Sequence, residues 1–204
     1  MIRIIRINEA ICPVCECPAI GGATHPGCRT RYTLDGLTSF FRYDGIVRKA
    51  VKALKYRFVS DLAREFISLV PLDLFSNHKT IQQYNNSYIL VPIPLHSSRF
   101  RERGFNQAEV LGRLLSERLH IPSRTDILCR KKKTIPQVEM KTRELRLTNM
   151  NNVFQINQKA MKQYNNLTII LIDDVFTTGA TMRSAANILK RNGVKFVWAV
   201  TMAR

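Results

Sequence analysis

Apolar residues recur along this chain with two spacings, and stretches of the two kinds alternate. Residues 37 to 43 (Leu-Thr-Ser-Phe-Phe-Arg-Tyr) read as a strand closed by an Asp44-Gly45 turn. A helix is predicted next, with Ile46, Ala50, Leu54 and Phe58 on one face beside Val47 and Val51. Arg48, Lys52 and Lys55 recur at i, i+4 and i+7 on the other face, with Lys49 beside them. A second helix is predicted from Asp61 to Val70, and the Asn-, Gln- and Ser-rich residues 71 to 87 read as a surface loop. Tyr88 to Leu95 open the sheet proper, and Pro92 and Pro94 must end that strand because proline cannot donate to a ladder. Helix returns with Ala108, Leu111, Leu115 and Leu119 inward, whereas residues 130 to 154 show no clear period. Two further strands, 167 to 172 and 194 to 201, flank a last helix. Its Met182, Ala185, Ala186 and Leu189 fall at i, i+3, i+4 and i+7, with Gly193 as C-cap. Such alternation predicts an α/β fold with a parallel doubly wound sheet, which places ligands at the carboxyl ends of the strands.

With 204 residues, the chain has room for one full domain and a small appendage, and 45% hydrophobic content supports a core. No apolar run approaches the ~18 residues of a transmembrane segment. Met1 to Arg6 is too short, and too interrupted by Arg3 and Arg6, for a signal peptide, so a cytoplasmic protein is expected. Charge changes the picture more. Thirty-two basic against fifteen acidic residues leave +17, a field that draws nucleic acid, anionic membrane or phosphorylated substrates. One small phosphorylated molecule does not need that excess. The Arg48, Lys52, Lys55 stripe suits a phosphate backbone, although a plain solvated face has the same pattern.

Four of the five cysteines lie between residues 12 and 28. Without an export signal a disulfide framework is the poorer reading, and metal binding the better one. Cys12-x2-Cys15 and His25-x2-Cys28 supply two pairs with one spacing, hence the four N/S donors of a tetrahedral zinc site. Cys17 is the rival for the fourth position. So short a segment cannot bury a core, so the metal would supply its folding energy and serve structure rather than catalysis.

The run Leu167-Thr168-Ile169-Ile170-Leu171-Ile172-Asp173-Asp174-Val175-Phe176-Thr177-Thr178-Gly179-Ala180-Thr181 carries the most chemistry. It reads as strand, loop and helix N-terminus, where backbone N–H groups and the helix dipole cradle a phosphate. Adjacent carboxylates would repel that phosphate; they suit the vicinal hydroxyls of a ribose or a divalent cation. One site then holds a sugar and its phosphate. Between the strand ending at Pro94 and the next helix stand Arg99, Arg101 and Arg103, whose guanidinium forks suit a pyrophosphate.

This run resembles the phosphoribosyl pyrophosphate (PRPP) motif of type I phosphoribosyltransferases. The resemblance implies that Asp173 and Asp174 hold the ribose hydroxyls and that Thr177, Thr178, Gly179, Ala180 and Thr181 bind the 5-phosphate. Further motifs extend the likeness: Phe41-Arg42-Tyr43-Asp44-Gly45, Leu54-Lys55-Tyr56, Val91-Pro92-Ile93-Pro94-Leu95-His96 and Arg103-Gly104-Phe105-Asn106-Gln107. Thr134-Ile135-Pro136-Gln137, Arg146-Leu147-Thr148-Asn149 and Ala203-Arg204 continue it. Together with the cysteine pairs they resemble the ComF family, in which His25 stands where cysteine is usual. The resemblance implies a structural zinc module over residues 1–33 and a phosphoribosyltransferase-like domain over 38–204. It implies Mg2+ bound with PRPP, and single-stranded DNA as partner, for which the charge pattern offers Arg48, Lys52, Lys55, Arg101 and Arg103. A place at the inner face of the cytoplasmic membrane beside DNA-uptake machinery goes with that reading. Should PRPP be turned over, Asp173 and Asp174 become the catalytic pair and Arg99 or Lys55 the pyrophosphate contact. A PRPP sensor coupled to DNA is the remaining alternative.

Overall fold

A computed structural model describes residues 7, 9–56, 60–75, 87–131, 153–164 and 167–204. Four strands form one all-parallel sheet in the order β1 (Gly36–Phe41), β6 (Val197–Ala203), β5 (Thr168–Val175), β2 (Tyr88–Pro92). Successive side chains on a strand point to opposite faces, and both faces are packed, as all-parallel sheets require. Leu90, Ile170, Ile172, Trp198 and Val200 meet α1 (Gly45–Tyr56), α2 (Ser60–Ser68) and α4 (Gln107–Leu119). Ile89, Val91, Ile169, Leu171, Val197 and Ala199 meet α6 (Ala180–Arg191) and the antiparallel pair β3 (Leu128–Arg130) and β4 (Phe154–Ile156). The sheet is therefore doubly wound.

The short α3 (Ser97–Arg103) follows β2, and α5 (Gln158–Met161) follows β4. Sequence periodicity gave no helix over 97–103, because Phe100 is its one large apolar residue. Local groups make it instead: His96 Nδ1 accepts from the Ser98 N–H at 3.2 Å, and Gly104 ends the helix at φ +77°. Other expectations shift by a few residues. Ile46 is exposed, so α1 presents Val47, Ala50, Val51 and Leu54 to the core; Phe58 lies outside the described residues. The last helix is capped at Asn192, and Gly193 follows it at φ +96°. Strand β5 runs on through both acids to Val175, because Phe176 still donates to the Ala203 carbonyl at 2.9 Å.

The N-terminal segment lies along the outer edge of β1. Ile7 donates to the Phe40 carbonyl at 3.0 Å, and Ala23 bridges Gly36. This cover leaves less of the edge strand open to pairing with another chain.

Candidate functional site

Strand order places the ligand crevice. The helix after β2, α4, packs on one face of the sheet, and the helix after adjacent β5, α6, packs on the other. Loops that depart to opposite faces leave a gap between the carboxyl ends of β2 and β5, the switch point where α/β sheets bind ligands. Both stretches of candidate chemistry flank it: α3 with its arginines beyond β2, and the Asp173-to-Thr181 run at the end of β5.

Asp173 is partly exposed, whereas Asp174 is 7% exposed. The Asp173 carboxylate accepts the Asp174 backbone N–H at 2.9 Å, which fixes the first acid against the strand. After Phe176 the chain turns through Thr177 and Thr178 to Gly179, at φ +68°, and α6 begins at Ala180. No side chain caps α6, so its first turn presents backbone donors and the positive end of the helix dipole at the loop. Gly179 has a second constraint: a Cβ there would lie 2.3 Å from Cζ of the buried Phe176. The loop is folded down onto that ring.

Arg99 joins this group electrically, through a residue that sequence reading placed only in an unstructured basic run. Arg130 ends β3 opposite Phe154, with its guanidinium 5.6 Å from the ring centre. Burial, and next the positive charge of Arg99, pull Arg130 down to about 10, while the Asp173 carboxylate pulls the other way. Asp173, Arg99 and Arg130 thus share one field at the mouth of the crevice. Arg130 was missed because β3 and β4 are three residues each, too short for a period. Phe100 was also missed. It is 45% exposed on α3 between Arg99 and Arg101.

The Arg103-to-Gln107 motif does structural work between β2 and α4. Buried Asn106 accepts from the Ala108 N–H at 3.1 Å as N-cap of α4, and donates to the Ile93 carbonyl at 3.0 Å and to Glu109. It ties the end of β2 to the helix that leaves the crevice.

Arg48 and Lys52 are exposed on α1, across the sheet from α6; the Lys55 side chain lies outside the described residues. Arg101 is exposed and Arg103 partly so. The structure thus puts Arg101 and Arg103 on α3, beside the crevice, and Arg48 and Lys52 on α1. Thr134, Gln137, Arg146, Asn149, Lys132 and Lys133 lie outside the described residues. An open cleft lined by Ile7, Glu9, Ser39 and Arg204 lies at the β1 edge, away from the acids.

At the N-terminus, Cys12, Cys15, His25 and Cys28 bring their donor atoms within 4.8 Å of one another. Tetrahedral zinc needs donor–donor edges of about 3.6–3.8 Å, so a small contraction around an ion would suffice. Cys15 Sγ and His25 Nδ1 are 3.3 Å apart, while His25 Nε2 faces the Pro18 carbonyl at 3.0 Å, the outer hydrogen bond that commits Nδ1 to a metal. Cys17 instead points its thiol at the Cys15 carbonyl, 3.8 Å away. Cys15 is pulled down to about 6, first by a backbone hydrogen bond from Cys17 and with help from His25, Cys12 and Cys28. Cys28 is pushed up to about 11, chiefly because its thiol donates to Cys15. A thiolate surrounded by donors that can still deprotonate is the chemistry of a metal centre. This Cys3His cluster can hold a metal such as zinc.

Comparison with known proteins agrees with this arrangement. The phosphoribosyl transferase domain model matches residues 106–204. The DNA utilization protein YhgH of Escherichia coli (strain K12) is 27% identical over 206 residues, 99% of this chain and 87% of that protein. Competence protein F of Haemophilus influenzae is 32% identical over 115 residues, 56% of this chain and 49% of its own. Competence protein ComFC of Bacillus subtilis (strain 168) is 31% identical over 199 residues, covering 94% of this chain and 76% of the relative. A parallel α/β sheet of the phosphoribosyl transferase type, a Cys3His cluster before it and that extent of identity establish that the chain belongs to the ComF family.

Proposed function

We propose that this is a cytoplasmic DNA-handling protein that binds PRPP with Mg2+ in the crevice and single-stranded DNA on its basic surface. The observation that carries the first half is the position of the Asp173-to-Thr181 run at the switch point, with Arg99 and Arg130 sharing the field of Asp173. In this reading Asp173 and Asp174 accept hydrogen bonds from the ribose hydroxyls, as paired acceptors beside a diol would. Thr177, Thr178, Gly179, Ala180 and Thr181 receive the 5-phosphate on backbone N–H and hydroxyl donors. Arg99 and Arg130 face the pyrophosphate, a contact that Lys55 of α1 is also proposed to make. Mg2+ bound with PRPP would neutralise part of its negative charge next to the two acids.

The second half rests on net charge +17 and on relatives named for competence and for DNA utilization. Arg101 and Arg103 would hold phosphates, and the exposed Phe100 between arginines offers a stacking face for a base. Arg48, Lys52 and Lys55 would extend the track along α1. Residues 1–33 form the zinc module and 38–204 the sugar-phosphate domain in this proposal. Among the described residues no helix is long and apolar enough to cross a membrane; contact with uptake machinery at the inner membrane face would be peripheral.

Arg130 also favours a second reading, a phosphoribosyltransferase. Two guanidinium groups at the pyrophosphate would stabilise its departure as carbon-1 gains oxocarbenium character, leaving Asp173 and Asp174 to hold the sugar. Calorimetric titration of PRPP–Mg2+ and of a labelled oligonucleotide, alone and together, on zinc-loaded protein tests both. PRPP should bind, and should lose about 100-fold in affinity in Asp173→Asn/Asp174→Asn, the scale of about 3 kcal/mol. Log affinity for the oligonucleotide should fall linearly with log salt. Unchanged PRPP binding in the double variant refutes the sugar site, and salt-insensitive or absent DNA binding refutes the DNA surface. Pyrophosphate release from PRPP with pooled nucleophiles separates the transferase from a binding protein.

A further inference from the structure

Helix α6 belongs to two sites at once, and Arg183 in its first turn touches both. Its backbone N–H donates to the Gly179 carbonyl at 2.8 Å, closing the turn that begins at the sugar-phosphate loop. Its guanidinium Nη1 donates to the carbonyls of Pro13, at 2.9 Å, and Val14, at 3.0 Å. Those carbonyls are the two residues between Cys12 and Cys15, the first donor pair of the Cys3His cluster. One residue therefore meets the knuckle through its side chain and the loop that Gly179 ends through its backbone.

The cysteine segment grips the far end of α6 as well. The Asp35 carboxylate, 1% exposed, accepts from Lys190 Nζ at 2.6 Å, from Arg29 Nη2 at 2.9 Å and from the Val197 N–H at 2.8 Å. Arg191 lies 4.4 Å from the centre of the Tyr32 ring. These contacts fix the helix axis, but they sit about three turns away from the loop. Arg183 connects the donor pair with the first turn.

We propose that Arg183 is a positioning residue that couples metal occupancy to PRPP binding, each strengthening the other. The inference rests on the PRPP reading above. An ion shared by Cys12 and Cys15 fixes the turn between them, and with it the two acceptors that hold the guanidinium. Charge-assisted hydrogen bonds to fixed acceptors hold Arg183, and its main chain holds the Gly179 end of the loop. Without the ion the acceptors move, the anchor slackens, and the donors of the first turn lose their alignment on the 5-phosphate. Linkage makes the effect reciprocal: bound PRPP must tighten the metal by the same factor.

The test uses the full chain. PRPP–Mg2+ affinity is measured by calorimetry on zinc-loaded and chelator-stripped protein, and zinc affinity by competition with a chromophoric chelator, with and without PRPP in excess Mg2+. Loaded protein should bind PRPP about tenfold more tightly, and PRPP should raise zinc affinity by the same factor, within the usual range of coupling. In Arg183→Met zinc affinity should fall about tenfold and the coupling factor should approach one, with Arg183→Lys recovering part of both. In Asp173→Asn/Asp174→Asn, PRPP should leave zinc affinity unchanged, which excludes chelation of zinc by PRPP in solution. Should the stripped protein unfold, the zinc-affinity measurements on loaded protein still decide. Equal zinc affinity with and without PRPP, or coupling retained in Arg183→Met, overturns the proposal. Absence of PRPP binding in every form overturns the sugar-site reading itself, whereas PRPP binding without coupling overturns only the role of Arg183.

Discussion

Substituting Gly179 by alanine tests how the loop is built. The residue sits at φ +68°, where a Cβ costs about 1 kcal/mol against glycine. The added carbon would also stand 2.3 Å from Cζ and 2.7 Å from Cε2 of Phe176, a ring 3% exposed. Ring or loop must shift, an overpacking cost of about 1–3 kcal/mol. Gly179→Ala should therefore lose about 2–4 kcal/mol in urea unfolding. The two causes separate in a double-mutant cycle, because Phe176→Leu removes the atoms that clash and leaves the backbone angle untouched. In that background Gly179→Ala should cost about 1–2 kcal/mol less than in the wild type. Strict additivity would refute the claim that the ring supports the loop. A loss below about 1 kcal/mol in the single variant would refute the strained geometry as well.

Three more outcomes are expected. Asp35→Asn removes the charge that faces the buried Lys190 and should cost about 3 kcal/mol by urea titration, with Asp35→Asn/Lys190→Met losing less than the sum of its parts; a cost under about 1 kcal/mol would mean that the pair is solvated. Asn106→Ala should cost about 1–3 kcal/mol by the same method and Asn106→Asp an intermediate amount, since aspartate keeps the cap and loses the donor to Ile93. Zinc affinity, followed by chelator competition between pH 5 and 8, should fall as pH falls, because Cys28, pushed up to about 11, must release a proton to bind. The dependence should steepen below about 6, where Cys15 is protonated too and must also give up its proton; a constant slope across that range would contradict the Cys15 thiolate.

What the sequence disclosed follows from which forces act over short spans. An apolar run, two acids and a glycine turn state β5, the loop and α6 within fifteen residues, and two Cys/His pairs with equal spacing state the metal cluster. Choosing His25 over Cys17 needed only that spacing, and in the fold Cys17 turns to a backbone carbonyl. The α3 helix was hidden because a cap and a terminal glycine make it, with no apolar stripe to announce it. Arg130 and Arg183 were hidden for a different reason: Arg130 meets Phe154, Arg99 and Asp173, and Arg183 meets Pro13 and Val14, all distant in sequence and brought together only by the fold. Ile46 shows the limit of periodicity itself. It obeys the helical spacing yet faces solvent, because the stripe that the sheet accepts is centred one residue further on.

Strand β6 lies between β1 and β5, although it follows every other element in the chain. Gly36 pairs with Trp198, and the Ser39 and Thr201 hydroxyls meet at 2.7 Å across 162 residues. A newly made β1 thus has no sheet neighbour until β6 has been made, after every other element described here, and contacts this remote in sequence make assembly slow. Were its Cys3His cluster to hold a metal such as zinc, the cysteine segment just before it would need little beyond that ion and its own turns. Made before β1, it can shield the waiting strand along one side through Ala23 and Gly36, and with a metal in that cluster, metal supply during synthesis would bear on whether β1 survives unpaired long enough to be captured.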